Sequence, residues 1–137
     1  MSILRSFANP VLPFLENDSL STVADAFLHP DYKDCLSVAV VNQNYQPVGM
    51  ISRHQLTDVF LKKFGRDLFG NRPVSDFMRQ QALVVDESSS LLAASSFVTA
   101  NMVFPLSEDF IITQEGRYVG MGAVLHLLSA MEKQISQ

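Results

Sequence analysis

The sequence has one cysteine, Cys35, among 137 residues, so no internal disulfide can form. No cluster of Cys and His at metal-ligand spacing accompanies it, which leaves a small buried apolar residue and no metal site. No run approaches the roughly 18 uninterrupted apolar residues of a membrane span, and the N-terminus lacks the charged-then-apolar pattern of a signal peptide. A cytoplasmic protein is expected. Positive charge is also scarce. Ten Lys and Arg against fourteen Asp and Glu give a net charge of −4, which removes the main attraction for phosphate backbones and, with it, nucleic acid as an expected partner. No Ser-His-Asp or Cys-His set has a supporting motif context, and no glycine-rich phosphate loop occurs, so no catalytic residue can be named.

A chain that is 47% hydrophobic can bury a core, and its length suits one compact domain. The basic residues that do occur gather in mid-chain at Lys62, Lys63, Arg66, Arg72 and Arg79. Within a solvated face, Arg66 and Arg72 are the candidate contacts for a small anion.

The chain also repeats itself. A shift of 71 residues lays Val48-Gly49-Met50 on Val119-Gly120-Met121, Leu56 on Leu127, Val40-Val41 on Ile111-Ile112 and Ser19-Leu20 on Ser90-Leu91. Identities are few, but the order of local patterns agrees. In the first half Leu20, Val23, Ala24, Phe27 and Leu28 form one helical stripe, capped by Asp18 or Ser19. His29-Pro30-Asp31 breaks it, and Ser37 to Val41 reads as a buried strand. Asn42 to Asn44 turn the chain, Val48 to Ile51 return, and Leu56, Val59, Phe60 and Phe64 mark a second helix. The second half repeats this order. A helix carries Leu91, Ala94 and Val98, strands run from Asp109 to Thr113 and from Tyr118 to Met121, and a last helix carries Val124, Leu127, Leu128, Met131 and Ile135. Lys133 lies near that helix's negative end. Pro73 to Met78 read as a short helix leading into the second repeat, and Ile3 to Phe7 play that part for the first, which then starts near Met1. Phe64, Leu68 and Phe69, around the turn bracketed by Gly65 and Gly70, are expected in the core. Neither half buries its sheet easily alone, so the two should pack together, flanked by helices.

The Val-Gly-Met-Ile-Ser stretch at 48 to 52, its echo at 119 to 123, and Val74-Ser-Asp-Phe-Met78 together resemble a tandem pair of CBS domains over nearly the whole chain. The resemblance implies an α/β fold of two β-α-β-β-α repeats about a pseudo-twofold axis. Residues 1–62 would form repeat one, 63–73 a connecting segment and 74–137 repeat two, all within one module spanning 1–137. It implies a regulatory module that forms a homodimer and reorients its C-terminal helix when ligand binds. A narrower resemblance, through residues 64 to 73 and 109 to 122, is to CBS-type modules N-terminal to GGDEF and EAL domains, which make and degrade cyclic di-GMP. It implies a C-terminal output domain of that type.

CBS pairs commonly hold adenosine-containing ligands in clefts between the repeats through Gly-x-x-Thr/Ser-x-x-Asp. The glycine permits close approach, the hydroxyl meets phosphate, and the carboxylate takes the ribose hydroxyls. Carried onto this chain, the resemblance makes Gly49, Ser52, Arg53 and Gln55 the ligand-binding candidates in repeat one, and Gly120, Gly122 and His126 those in repeat two. Both stretches lack the ribose carboxylate, because Gln55 and His126 stand in its place, and Ala123 replaces the hydroxyl in repeat two. The first cleft, beside Ser52 and Arg53, is thus the better nucleotide site. Ser52 and Gln55 also have a local explanation as a capping box. The rival readings are a structural dimerisation module with empty clefts and, least supported, a freestanding enzyme.

Overall fold

The computed structural model describes residues 3–102 and 108–136, with side chains to Gln134, so the side chain of Ile135 and residue Met1 lie outside it. A short helix α1 (Ile3–Ser6) comes first. Repeat one follows as β1 (Phe14–Leu15), α2 (Leu20–Ala26), β2 (Ser37–Val41), β3 (Pro47–Ser52) and α3 (Arg53–Leu61). After α4 (Gly65–Phe69) and a 3-10 turn at Val74–Asp76, repeat two follows as β4 (Val84–Asp86), α5 (Leu91–Asn101), β5 (Asp109–Gln114), β6 (Arg117–Ala123) and α6 (Val124–Ser136). The order is β-α-β-β-α twice, and α1 stands to repeat one as the 3-10 turn stands to repeat two.

Each repeat makes a three-stranded sheet, β1-β2-β3 and β4-β5-β6, with the first pair parallel and the second antiparallel. The central strands are shielded on both faces. Every residue of β2 is buried, as are Asp109 to Thr113 of β5. Helix α2 starts where Ser19 Oγ accepts the Thr22 N–H at 3.1 Å, and its stripe buries Leu20, Val23 and the following Phe27. Leu28 departs from the expectation. The helix ends at Ala26 and the chain turns toward the 3-10 helix Pro30–Tyr32, which leaves Leu28 80% exposed. Leu91, Ala94 and Val98 are buried on α5, and Leu127 on α6. The two-residue strand β1 and the three-residue β4 are too short to show any period in sequence.

The expectation for the inter-repeat turn is corrected at two residues. Phe64 and Leu68 are 63% and 62% exposed, and only Phe69 packs, edge-on against Phe77 with ring centroids 5.8 Å apart. Phe64 adopts a left-handed conformation (φ 61°) while Gly65 tucks against the backbone of Val59, where a Cβ would overlap the carbonyl. That tight turn throws the Phe64 side chain outward.

What locks the repeats together is an exchange of backbone. Asn9, upstream of the first sheet, trades two hydrogen bonds with Met121 of the second, both 2.8 Å. Arg79, upstream of the second sheet, trades two with Met50 of the first, at 2.7 and 3.0 Å. Each lead-in thereby covers the edge of the other repeat's sheet, which would otherwise present unpaired N–H and C=O groups. Glycine is needed beside each crossing. A Cβ on Gly120 would lie 2.7 Å from the Asn9 carbonyl oxygen, and one on Gly49 would lie 2.9 Å from that of Arg79. Among the described residues no helix is long and apolar enough to cross a membrane.

Candidate ligand cleft

Because the first lead-in crosses onto β6, it stands away from the loop that follows α2, and a cavity of about 950 Å³ opens between them. Its walls are Phe7 to Pro10 of the lead-in, Pro30, Asp31 and residues 33–36 of repeat one, and Asp109, Gly122 and the start of α6 from repeat two. Both repeats therefore contribute to it, and the surface is mostly apolar with a few polar groups, the usual make-up of a small-molecule site.

Asp109 is the unusual member. Only 3% exposed, it receives at Oδ2 the backbone N–H groups of Leu36 (2.8 Å) and Ser37 (3.2 Å), while its own N–H donates to Ser37 Oγ at 3.2 Å. These bonds tie the two central strands together. Oδ1 makes no hydrogen bond among the described residues, and Asp109 lines the cavity. Burial pushes the carboxyl up to about 6, opposed by the two backbone N–H groups, His126 and Arg53. The neighbouring Cys35 thiol is raised to about 11, first by burial and then by Asp109, and is therefore a neutral wall rather than a nucleophile.

The sign of the resulting pH dependence follows from linkage. Between the unfolded value near 3.8 and the folded value near 6, the folded chain keeps the Asp109 proton and the unfolded chain releases it. The contribution of Asp109 to stability is therefore greatest below that window and falls as pH rises through it. Urea unfolding of wild type and Asp109→Asn across the window checks this. The difference in stability between the two should shift in favour of the variant with rising pH, and a constant difference would show that Asp109 titrates normally.

The rim carries Asp31, Asp34, Glu108, Lys33 and His126. Glu108, itself 4% exposed, receives Arg79 Nη1 at 2.6 Å, and Arg79 Nη2 donates to the Asn101 carbonyl at 2.8 Å. His126 sits edge-on to Phe7, with ring centroids 6.3 Å apart.

No family model matches the sequence, and no curated protein matches it. Solved structures do. A CBS domain-containing protein of unknown function from Bacillus anthracis superposes with a TM-score of 0.74 at 15% identity, over 96% of this chain and 93% of that one. CBSX2 from Arabidopsis thaliana gives 0.73 at 17% identity, over 98% and 96%. A structure of CBSX2 in complex with AMP gives 0.72 at 17%, with both chains covered completely. The fold is that of a CBS-domain pair.

Within this fold the candidate residues separate. Gly122 and His126 line the cavity, whereas Gly49, Ser52, Arg53, Gln55 and Gly120 do not. Gly49 and Gly120 make room for the crossing lead-ins. Gly122 is pinned from beneath: a Cβ there would stand 2.9 Å from Phe110 Cε1 and nearer still to the ring's far edge. Ser52 and Gln55 form the capping box of α3, with Ser52 Oγ accepting the Gln55 N–H at 3.0 Å and Gln55 Oε1 accepting the Ser52 N–H at 2.9 Å. Arg53 turns back onto the carbonyls of Phe27, Tyr32 and Cys35. Arg66 lies 3.6 Å from Asp25 and Arg72 2.9 Å from Asp76, and neither lines the cavity. Sequence favours the cleft beside Ser52 and Arg53, but the 950 Å³ cavity opens instead beside Gly122 and His126. Asp109 was missed, although a carboxylate opening an otherwise apolar strand is itself a signal, since Asp is seldom fully buried without a reason.

Proposed function

We propose that the chain is a ligand-responsive regulatory module, not a catalyst, that binds a nucleoside- or nucleotide-like molecule between its repeats. The observation that carries this reading is the 950 Å³ cavity walled by both repeats, within the usual size range of small-molecule sites. The AMP complex of CBSX2, which shares the fold, supports the ligand class. A ligand that touches both repeats favours one inter-repeat arrangement over others. Because α6 begins at the cavity wall, it is the element that passes the change to a linked or associated effector. The resemblance of residues 64 to 73 and 109 to 122 to modules preceding GGDEF and EAL domains favours an output domain of that kind and a role in cyclic di-GMP signalling.

A thermal-shift screen against adenine and guanine nucleosides and nucleotides, cyclic dinucleotides and S-adenosyl compounds tests the reading. At about 100 times Kd a ligand adds roughly 2.7 kcal/mol, which raises the midpoint of a domain this size by about 10 °C. The shift should disappear in Ala123→Phe, which fills the cavity from β6. Silence across the panel favours the second reading, a structural homodimer. That reading draws support from three leucines on helices, Leu61, Leu92 and Leu125, and from Leu28 in the turn after α2, each between 65% and 80% exposed. Light scattering reads the mass directly, and a monomer at high concentration would remove it.

A further inference from the structure

Resting on the sensing reading above, we infer that this cleft selects against phosphate and takes a ligand that presents a cationic or neutral N–H or O–H donor to Asp109. Four carboxylates line the cavity, Asp31, Asp34, Glu108 and Asp109, against one lysine, Lys33. The chain between Met102 and Glu108 contains no charged residue that would alter this count. Pairing of Glu108 with Arg79 neutralises one carboxylate and leaves the balance negative. The positive end of α6 contributes only about half a charge, too little to reverse it. The position where a hydroxyl would meet a phosphate is Ala123. The buried polar side chains that line the cavity, Glu108 and Asp109, are acceptors, and in Asp109 Oδ2 is held by two backbone donors while Oδ1 makes no hydrogen bond among the described residues. A free acceptor on an immobilised carboxyl is best matched by a donor, and a phosphate brought there meets like charge.

Three ligands that share adenine and ribose and differ at the 5′ group separate the charge states: 5′-amino-5′-deoxyadenosine (cation), adenosine (neutral) and AMP (anion). Titration calorimetry of the chain with each, at neutral pH and low salt, should place the amine at least about tenfold tighter than AMP, with adenosine between them. Asp109→Asn should narrow the gap between amine and AMP. Because Asp109 also ties the two sheets together, Asp34→Asn on the exposed rim serves as a second variant and should narrow the gap by a smaller factor. AMP binding as tightly as the amine, or more tightly, overturns the inference while leaving a sensor in place. No binding by any of the three overturns this inference, and silence across the thermal-shift panel as well overturns the sensing reading with it.

Discussion

Phe110→Ala is expected to lower the unfolding free energy by about 3–5 kcal/mol, the cost of emptying a fully buried aromatic site, and the melting midpoint by more than about 10 °C. Phe110 is 0% exposed in the central strand of the second sheet, and its ring fills the space where a side chain at 122 would stand. Gly122 lines the cleft, so the ring is the floor under that part of the cavity wall. The same contact predicts that Gly122→Ala overpacks the site, at a cost of about 1–3 kcal/mol. Phe110→Leu removes the far edge of the ring, the part the new methyl would strike. The double variant Phe110→Leu/Gly122→Ala should then be more stable than the sum of the two single losses allows, by more than about 0.5 kcal/mol. Strict additivity in a denaturant-melt cycle would mean that ring and glycine do not meet.

That contact also marks what sequence could and could not disclose. The α-β-β-α part of each repeat was legible because it is written twice at one offset, and because helix stripes and buried strands carry strong periods, as at Leu91, Ala94 and Val98, whereas the short leading strands β1 and β4 were implied only by the resemblance. The exchange of lead-ins was not legible. It depends on Asn9 meeting Met121 and Arg79 meeting Met50, contacts between residues that no local pattern connects. Its only trace is glycine at 49 and 120, which sequence alone equally allows as a close approach to ligand. Phe64 and Leu68 looked like core because they are large and apolar, but burial is decided by the direction of the chain, and a left-handed residue before Gly65 points the segment outward. Asp109 stayed hidden because its partners, the backbone N–H groups of Leu36 and Ser37, lie in the other repeat.

Arg53 is where sequence and structure assign different work to one side chain, and the two are separable by experiment. In sequence it stands at a helix mouth, fit for a phosphate. In the structure its guanidinium donates to the carbonyl oxygens of Phe27 (3.1 Å), Tyr32 (3.0 Å) and Cys35 (3.1 Å from Nη2, 3.3 Å from Nε), and it lies 4.5 Å over the Phe27 ring. Cys35 belongs to the repeat-one wall of the cavity, Tyr32 stands between the wall residues Asp31 and Lys33, and Phe27 precedes them, so Arg53 is a clamp that holds that wall against α3. Arg53→Met keeps the apolar stem and removes every donor, and should cost about 2–4 kcal/mol as partly buried carbonyls lose their partners. Arg53→Lys should recover less than half of that, because an ammonium has neither the planar fork nor the stacking face. Titration of adenosine and AMP into Arg53→Met decides between the roles. A clamp predicts a large fall in stability and an equal loss of affinity for both ligands, through a loosened wall. A phosphate contact predicts near-normal stability and a loss confined to AMP.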